Sequence, residues 1–449
     1  MATTATRHDL FLSHFARQRP QLPGGGQAWL DRLRQEAIER FAEAGFPTTR
    51  LENWKFTNVL PIARTAFQPA APKLDGLTRE KLGQLPLGRL DAARLVFVNG
   101  HFAAELSSLE GLPKGARVGS LAAALEEGNA RLEEHLGRYA AYQPPDRAFV
   151  ALNTAFLNDG AFLEIPQGAL VEKPIHLVFV SVSEAQPVFS QPRNLILVGA
   201  GAQVAVLETY LGLGDGPYFT NAVTEIVVAE NTIVDHYKFQ LESEDAFHVA
   251  TLQARQARDA RFTSHNVSLG GRLVRNDVNV VLDGEGSEST LNGLFVARGR
   301  QHVDNHTLAD HAKPHCTSHE LYQGVLAGSA AGVFNGAIIV RPNAQKTDAI
   351  QHNKNLLLSE GATINTKPQL EIFADDVRCT HGATVGQLDP DALFYLRSRG
   401  LSYPAARNLL IRGFTQTILE RMKVEALRAE LEELLFARLS GSQRFGEGR

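Results

Sequence analysis

Cysteine is nearly absent: Cys316 and Cys379 are the only two among 449 residues. Two thiols exclude a disulfide framework and any four-cysteine zinc or iron–sulfur site built by one chain. Long hydrophobic runs are missing as well. The best, around Pro174–Val182, falls far short of the ~20 residues a membrane span needs. The opening stretch MATTATRHDLFLSHFARQRP has no apolar core of the secretory type, so a reducing cytoplasm is the expected address. Neither charge dominates, with 45 Lys+Arg against 49 Asp+Glu, which gives no electrostatic reason for a nucleic acid or a membrane as partner. No Gly-Lys dipeptide occurs, so the chain has no phosphate-cradling P-loop and no ATP site of that kind is expected on it. GxSxG, HExxH and CxxC are absent too, and Gly212-Leu-Gly214-Asp-Gly216 lacks the spacing of a dinucleotide fingerprint. No self-sufficient enzyme of a familiar class emerges.

What is present is an ordinary globular composition, 44% hydrophobic and 21% charged, in three textures. Residues 1–146 read as a mainly helical N-terminal domain. Trp29, Leu33, Ala37, Ile38, Phe41 and Ala44 recur at helical spacing before Gly45 and Pro47. Leu95–Val98 followed by Asn99-Gly100 predicts a strand and a hairpin-type turn. Ser120 reads as the N-cap of one helix carrying Leu121, Leu125, Leu132 and Leu136, and Gln143-Pro144-Pro145-Asp146 marks the boundary.

Over 147–388 short β-branched or alternating runs recur, among them Asn194–Val198, Glu225–Val228, Val278–Leu282, Val333–Val340 and Leu370–Phe373. So many strands in series favour a barrel, a propeller or a β-solenoid over a sandwich. The absence of an exact repeat weakens the propeller, and a solenoid tolerates degenerate coils. Residues 389–449 return to helical spacing. A short helix over Asp391–Ser398 precedes a stripe of Leu410, Phe414, Ile418, Met422, Leu427, Leu431, Leu434 and Leu435. That stripe either packs back on the β core or docks another protein, and spacing does not choose between them.

Two constellations could carry chemistry. Cys379 and His381 would share one face of a strand, about 7 Å apart at Cα. An imidazole can lower a neighbouring thiol's pKa, and the two form a workable ligand pair for iron. Two donors do not close a four-ligand site. The alternative, favoured on the residues alone, is a small buried thiol beside a histidine bonded to backbone. The second constellation is His302, His306, His311, His315, Cys316 and His319. Pro314 argues against one helix, and a single strand would split the set between two faces, so structural or solvated histidines are favoured. Glu320, near Lys313 and Asp310, reads as ordinary surface charge.

The segment TKPQLEIFADDVRCTHGATVGQLDPDALFYLRSRGL, with DNHTLADHAKPHCTSHELYQGVLAG, AAGVFNGAIIVRPNAQKTDA and LENWKFTN, resembles the SufB/SufD family of iron–sulfur cluster assembly proteins. The SufD branch is the better match, since SufB-like chains carry more cysteines and an acidic residue where Gly382 stands here. The resemblance implies a helical N-terminal domain, a right-handed parallel β-helix and C-terminal helices. It implies a non-catalytic subunit that pairs with a SufB-like paralogue and docks a SufC-like ABC ATPase through C-terminal helices, for which Leu410, Phe414, Ile418, Met422 and Leu427 are the candidates. It also implies that His381, with Cys379, completes a nascent iron–sulfur cluster or iron site shared with SufB. A role for reduced flavin is left open, and a homodimer is physically allowed at unpaired strand edges. Two other classes stay in view: a β-helix carbohydrate-active enzyme, against which stand the missing signal segment and the bunching of Asp375-Asp376, Asp389 and Asp391 at one end, and a stand-alone metal-binding protein using the 302–319 histidines.

Overall fold

The computed structural model describes residues 8–439 except 75, 143–144 and 185. From Arg193 to Gly386 successive strands alternate between two parallel sheets, within a β-solenoid of about 7 turns. One sheet ends in His302–His311, Ala331–Val340 and Thr363–Ile372, the other in Thr317–Leu326, Asp348–Leu357 and Arg378–Gly386. Inward side chains such as Val206, Ile226, Val234, Phe262, Val280, Leu291, Tyr322 and Phe334 stack coil on coil into one core, as the pleat's period of two requires. One corner of each coil needs a left-handed backbone. It falls at Gly201, Asn231, Asp259, Gly286, His315 and Lys346, spaced by about 30 residues, which is the coil period.

Buried on both faces, parallel sheets need helices outside them. Ala28–Ala44 and Ala148–Phe156 cover the first sheet, packing Phe11, Phe41, Trp54, Phe149 and Leu152 on Phe219, Val223, Phe247 and Leu273. Charge locks this layer down. Glu225, fully buried, pairs with Arg193 at 2.6 Å and accepts the backbone N–H groups of Gly137, Tyr139 and Ala140. Arg275 donates to Asn53 O, Asp277 and Asp304 and lies 4.4 Å over the Trp54 ring. The N-terminal segment is also woven into the solenoid, because Ala93–Val98 pairs with Ile175–Val182 and Arg117–Ser120 pairs with Ala161–Ile165.

Local expectations are in part met and in part revised. Ala28–Ala44 ends at Gly45 with φ +63°, and Asn99 and Gly100 both take positive φ in a tight hairpin. The single helix expected after Ser120 is two: Leu121–Glu126 stops at Gly128, and Asn129 caps Ala130–His135. Gln143 and Pro144 of the expected boundary lie outside the described residues. At the other end, Asp389 caps Pro390–Ser398, and Ser402 caps Tyr403–Leu419 with Pro404 in its first turn. Among the described residues no helix is long and apolar enough to cross a membrane.

Candidate functional site

The solenoid is open at its C-terminal end. Thr363–Ile372 and Arg378–Gly386 are the last strands of their sheets, and among the described residues no further strand pairs with either. Their outer N–H and C=O groups therefore form a free parallel edge. Inward side chains of this last coil have no coil above them, which leaves Ile372 at 40% and Val385 at 48% exposed.

Cys379 and His381 sit here. Cys379 pairs laterally with Ala349 and packs into the inner cluster with Ile338, Val340 and Ala349, so it points inward. His381, two residues on, shares that face and is exposed. Burial, with the Asp348 charge behind it, pushes the Cys379 thiol upward. The thiol is thus held protonated in the isolated chain, contrary to the lowering expected from an adjacent imidazole. Cys316 lies two rungs below this coil and is buried: its Sγ meets Gly284 O at 3.2 Å, and burial raises its pKa.

Beneath His381 runs a column of inward residues. Lateral pairing places Leu291, Glu320, Gln351 and His381 on successive rungs, about 4.8 Å apart. Gln351 Nε2 donates to Glu320 Oε2 at 2.8 Å, and both side chains are buried. Glu320 is therefore not the surface charge expected from its acidic and basic neighbours in sequence. Strand alternation turns it into the solenoid interior, where burial raises its carboxyl to about 7. Asp310 forms its ion pair with Arg341 instead. The signal that would have exposed the column is periodic: 320, 351 and 381 recur at the same interval as the left-handed corners.

The histidine-dense segment disperses. His302 meets Thr57 Oγ1 at 2.8 Å and His306 meets Asp304 at 3.1 Å, both under the N-terminal helices. His311 points into the interior, where Nε2 meets Ser318 Oγ at 2.8 Å. His315 occupies a left-handed corner and His319 is exposed on the other sheet. No group of three His, Cys, Asp or Glu side chains suited to a metal occurs among the described residues. Two of the carboxylates at this end have structural roles: Asp389 caps a helix and Asp376 pairs with Lys346.

The C-terminal stripe packs mainly inward. Ile418, Met422, Leu427, Leu431 and Leu435 are buried against Leu207, Tyr237, Phe239, Leu294 and Leu321 on the outside of the second sheet. Phe414 is partly buried in the same cluster, and Leu410 is partly exposed. Of the residues considered for docking, Ile418, Met422 and Leu427 are thus already covered by this chain, because the sheet face beneath them is apolar. Exposed in this region instead are Phe394 at 75%, Tyr395 at 57%, Phe436 at 54%, Tyr403 at 51% and Leu409 at 49%, with Leu401 less so.

Family comparison decides the context. Residues 179–414 match the SufBD core domain of the SUF system for FeS cluster assembly, and residues 5–177 match the SufBD N-terminal region. The chain belongs to the SufBD family. An iron–sulfur cluster assembly SufBD family protein of Synechocystis sp. is 34% identical over 94% of each chain. The iron–sulfur cluster assembly protein SufD of Escherichia coli is 30% identical over 97% of each, and SufD of Bacillus subtilis is 28% identical over 91% of this chain and 93% of its own. Within the SufBD family the likeness is closest to SufD, and the family's setting is iron–sulfur cluster assembly. For this SufBD chain the matched core spans every strand from Tyr218 to Gly386 and both candidate donors.

Proposed function

We propose that the chain is the SufD-like, non-catalytic subunit of a SufB–SufC–SufD assembly, and that its open end pairs with a SufB-like paralogue to build the site where iron or a nascent cluster is held. The observation that carries this reading is that His381 and Cys379 lie on the inward face of the last coil, whose outer edge is unpaired among the described residues. An imidazole and a thiol are suitable iron donors, and two donors require the rest from across an interface. A partner strand added at this edge would satisfy the free backbone groups and cover Ile372 and Val385. Where the paralogue is missing, the same edge is available to a second copy of this chain.

His381→Ala, an exposed substitution, is expected to leave the subunit complex intact in size-exclusion chromatography while abolishing cluster formation in an anaerobic reconstitution. Cys379→Ala is expected to reduce the yield less, because its thiol is held protonated. Wild-type cluster yield from His381→Ala would end this assignment.

We further propose that a SufC-like ATPase docks on the exposed aromatic patch at the start of the C-terminal helices. Phe394, Tyr395, Tyr403 and Leu409 are exposed on Pro390–Ser398 and the first two turns of Tyr403–Leu419, two helices that pack together. Aromatic anchors of this kind dominate interface energetics. Phe394→Ser with Tyr403→Ser is expected to weaken ATPase binding by about a hundredfold or more, at ~1.4 kcal/mol per tenfold. The thermal midpoint should not move. Unchanged affinity by calorimetry would remove the patch from the interface.

A further inference from the structure

The column under His381 contains an acceptor without a donor. Gln351 Oε1 is fully buried and makes no hydrogen bond. With Glu320 ionised, the orientation of this amide follows from chemistry: a carboxylate only accepts, so Nε2 faces Glu320 and Oε1 faces away from it. On the side away from Glu320 the neighbouring rung is the last one, and its inward side chain, paired laterally with Gln351, is His381. Imidazole carries an N–H, and a buried acceptor with no partner favours any donor within reach.

The fold also reserves space for this amide. Gly336 lies on the opposite sheet, and a Cβ built there would fall 2.3 Å from Gln351 Nε2. The backbone of Gly336 is not left-handed. Its lack of a side chain therefore answers to the amide packed against it and to the nearby Phe334 ring, and not to a turn.

We propose that Gln351 is a positioning residue for His381: its carbonyl oxygen accepts one imidazole N–H and so selects the ring nitrogen left free for metal, while Glu320 holds the amide in that orientation. The proposal builds on His381 as a donor to the shared site. Ligating histidines commonly have their second nitrogen fixed in this way, which sets tautomer and ring direction. His381 is exposed in the isolated chain, and rotation of its side chain closes the bond.

The test uses the full chain with [15N]histidine, at pH 8, where Glu320 is ionised. Long-range proton–nitrogen spectra report the tautomer of each imidazole, and His381 is assigned by its absence in His381→Ala. Gln351→Met is expected to change the His381 tautomer ratio by about threefold or more relative to wild type. Gly336→Ala, which displaces the amide without removing it, should shift the ratio in the same direction. Glu320→Gln keeps an acceptor for Gln351 Nε2 and should preserve the wild-type spectrum, whereas Glu320→Met should not.

Wild-type His381 signals in both Gln351→Met and Gly336→Ala would overturn the proposal. A wild-type spectrum in Glu320→Met would overturn the part given to Glu320. These readouts need no metal and no partner. Cluster formation that survives His381→Ala would instead refute His381 as a donor and leave the tautomer result standing.

Discussion

Between pH 7 and pH 5 the folded chain is expected to lose about 4 kcal/mol of stability. His176, His265 and His311 are buried in the neutral form. Burial lowers them from 6.5 to about 3, about 3 and about 4, with Arg94 adding to the effect at His176 and Asp310 opposing it at His311. Native contacts suit the neutral rings: His176 Nε2 meets Thr209 Oγ1, and His265 stacks on Tyr237 at 5.1 Å. In the unfolded chain each ring takes a proton near pH 6.5, and in the native chain none does until far lower. Their contribution is thus complete above pH 6.5 and drains away as pH falls, at ~1.4 kcal/mol per unit per ring, or about 6 kcal/mol for three rings by pH 5.

Glu320 acts in the opposite direction. Its native carboxyl protonates near 7 and its unfolded one near 4.5, so acidification through this window returns about 2 kcal/mol. Urea midpoints at pH 7, 6 and 5 measure the net slope. His311→Gln should flatten it, and Glu320→Gln should steepen it. A midpoint that stays constant from pH 7 to 5 would refute the account. A loss of this size is a large share of the ~5–15 kcal/mol typical of whole domains.

Arg275→Ala is expected to cost about 3–5 kcal/mol. Its guanidinium holds Asp304 at 2.6 Å and Asp277 at 2.8 Å, all three groups being buried, and its attraction keeps both carboxyls below their usual range despite burial. Truncation leaves two enclosed carboxylates without their counter-charge and removes the link to Asn53 O and Trp54. Because the second effect falls on the helical layer, limited proteolysis should cut the 8–67 region of Arg275→Ala before the solenoid is attacked. Adding Asp277→Asn and Asp304→Asn should recover part of the loss, since replacing all the charges is less damaging than removing one. A stability within about 1 kcal/mol of wild type would show that the arginine is not the clasp.

Much of the architecture was legible because patterning and capping agree. Gly45, Asn99-Gly100 and Ser120 perform the local roles their chemistry suggests. The repeat was not legible, and the corners explain why. A left-handed position needs only a tolerable residue, and here Gly, Asn, Asp, His and Lys all occupy it. The coil period is therefore written in backbone angles without a recurring letter. The inner column was hidden for a related reason. Leu291, Glu320, Gln351 and His381 share one inward position, so no fixed polarity marks it, and Glu320 passes for a solvent charge beside Lys313. The apolar stripe near the C-terminus was visible, but which neighbour it met depended on the sheet face opposite, a fact of tertiary structure.

The helical layer depends on atoms that are made long after it. Thr57 is tied to Asp304, Asn53 to Arg275 and Glu52 to Lys367, across 247, 222 and 315 residues of chain. At ordinary elongation rates of ~5–20 residues per second, these partners emerge about ten seconds or more after the segment they secure. During that interval Phe11, Phe41, Trp54 and Phe149 have no completed wall to rest on. The nascent chain thus carries an uncovered apolar leading end until the coils that receive it have been made.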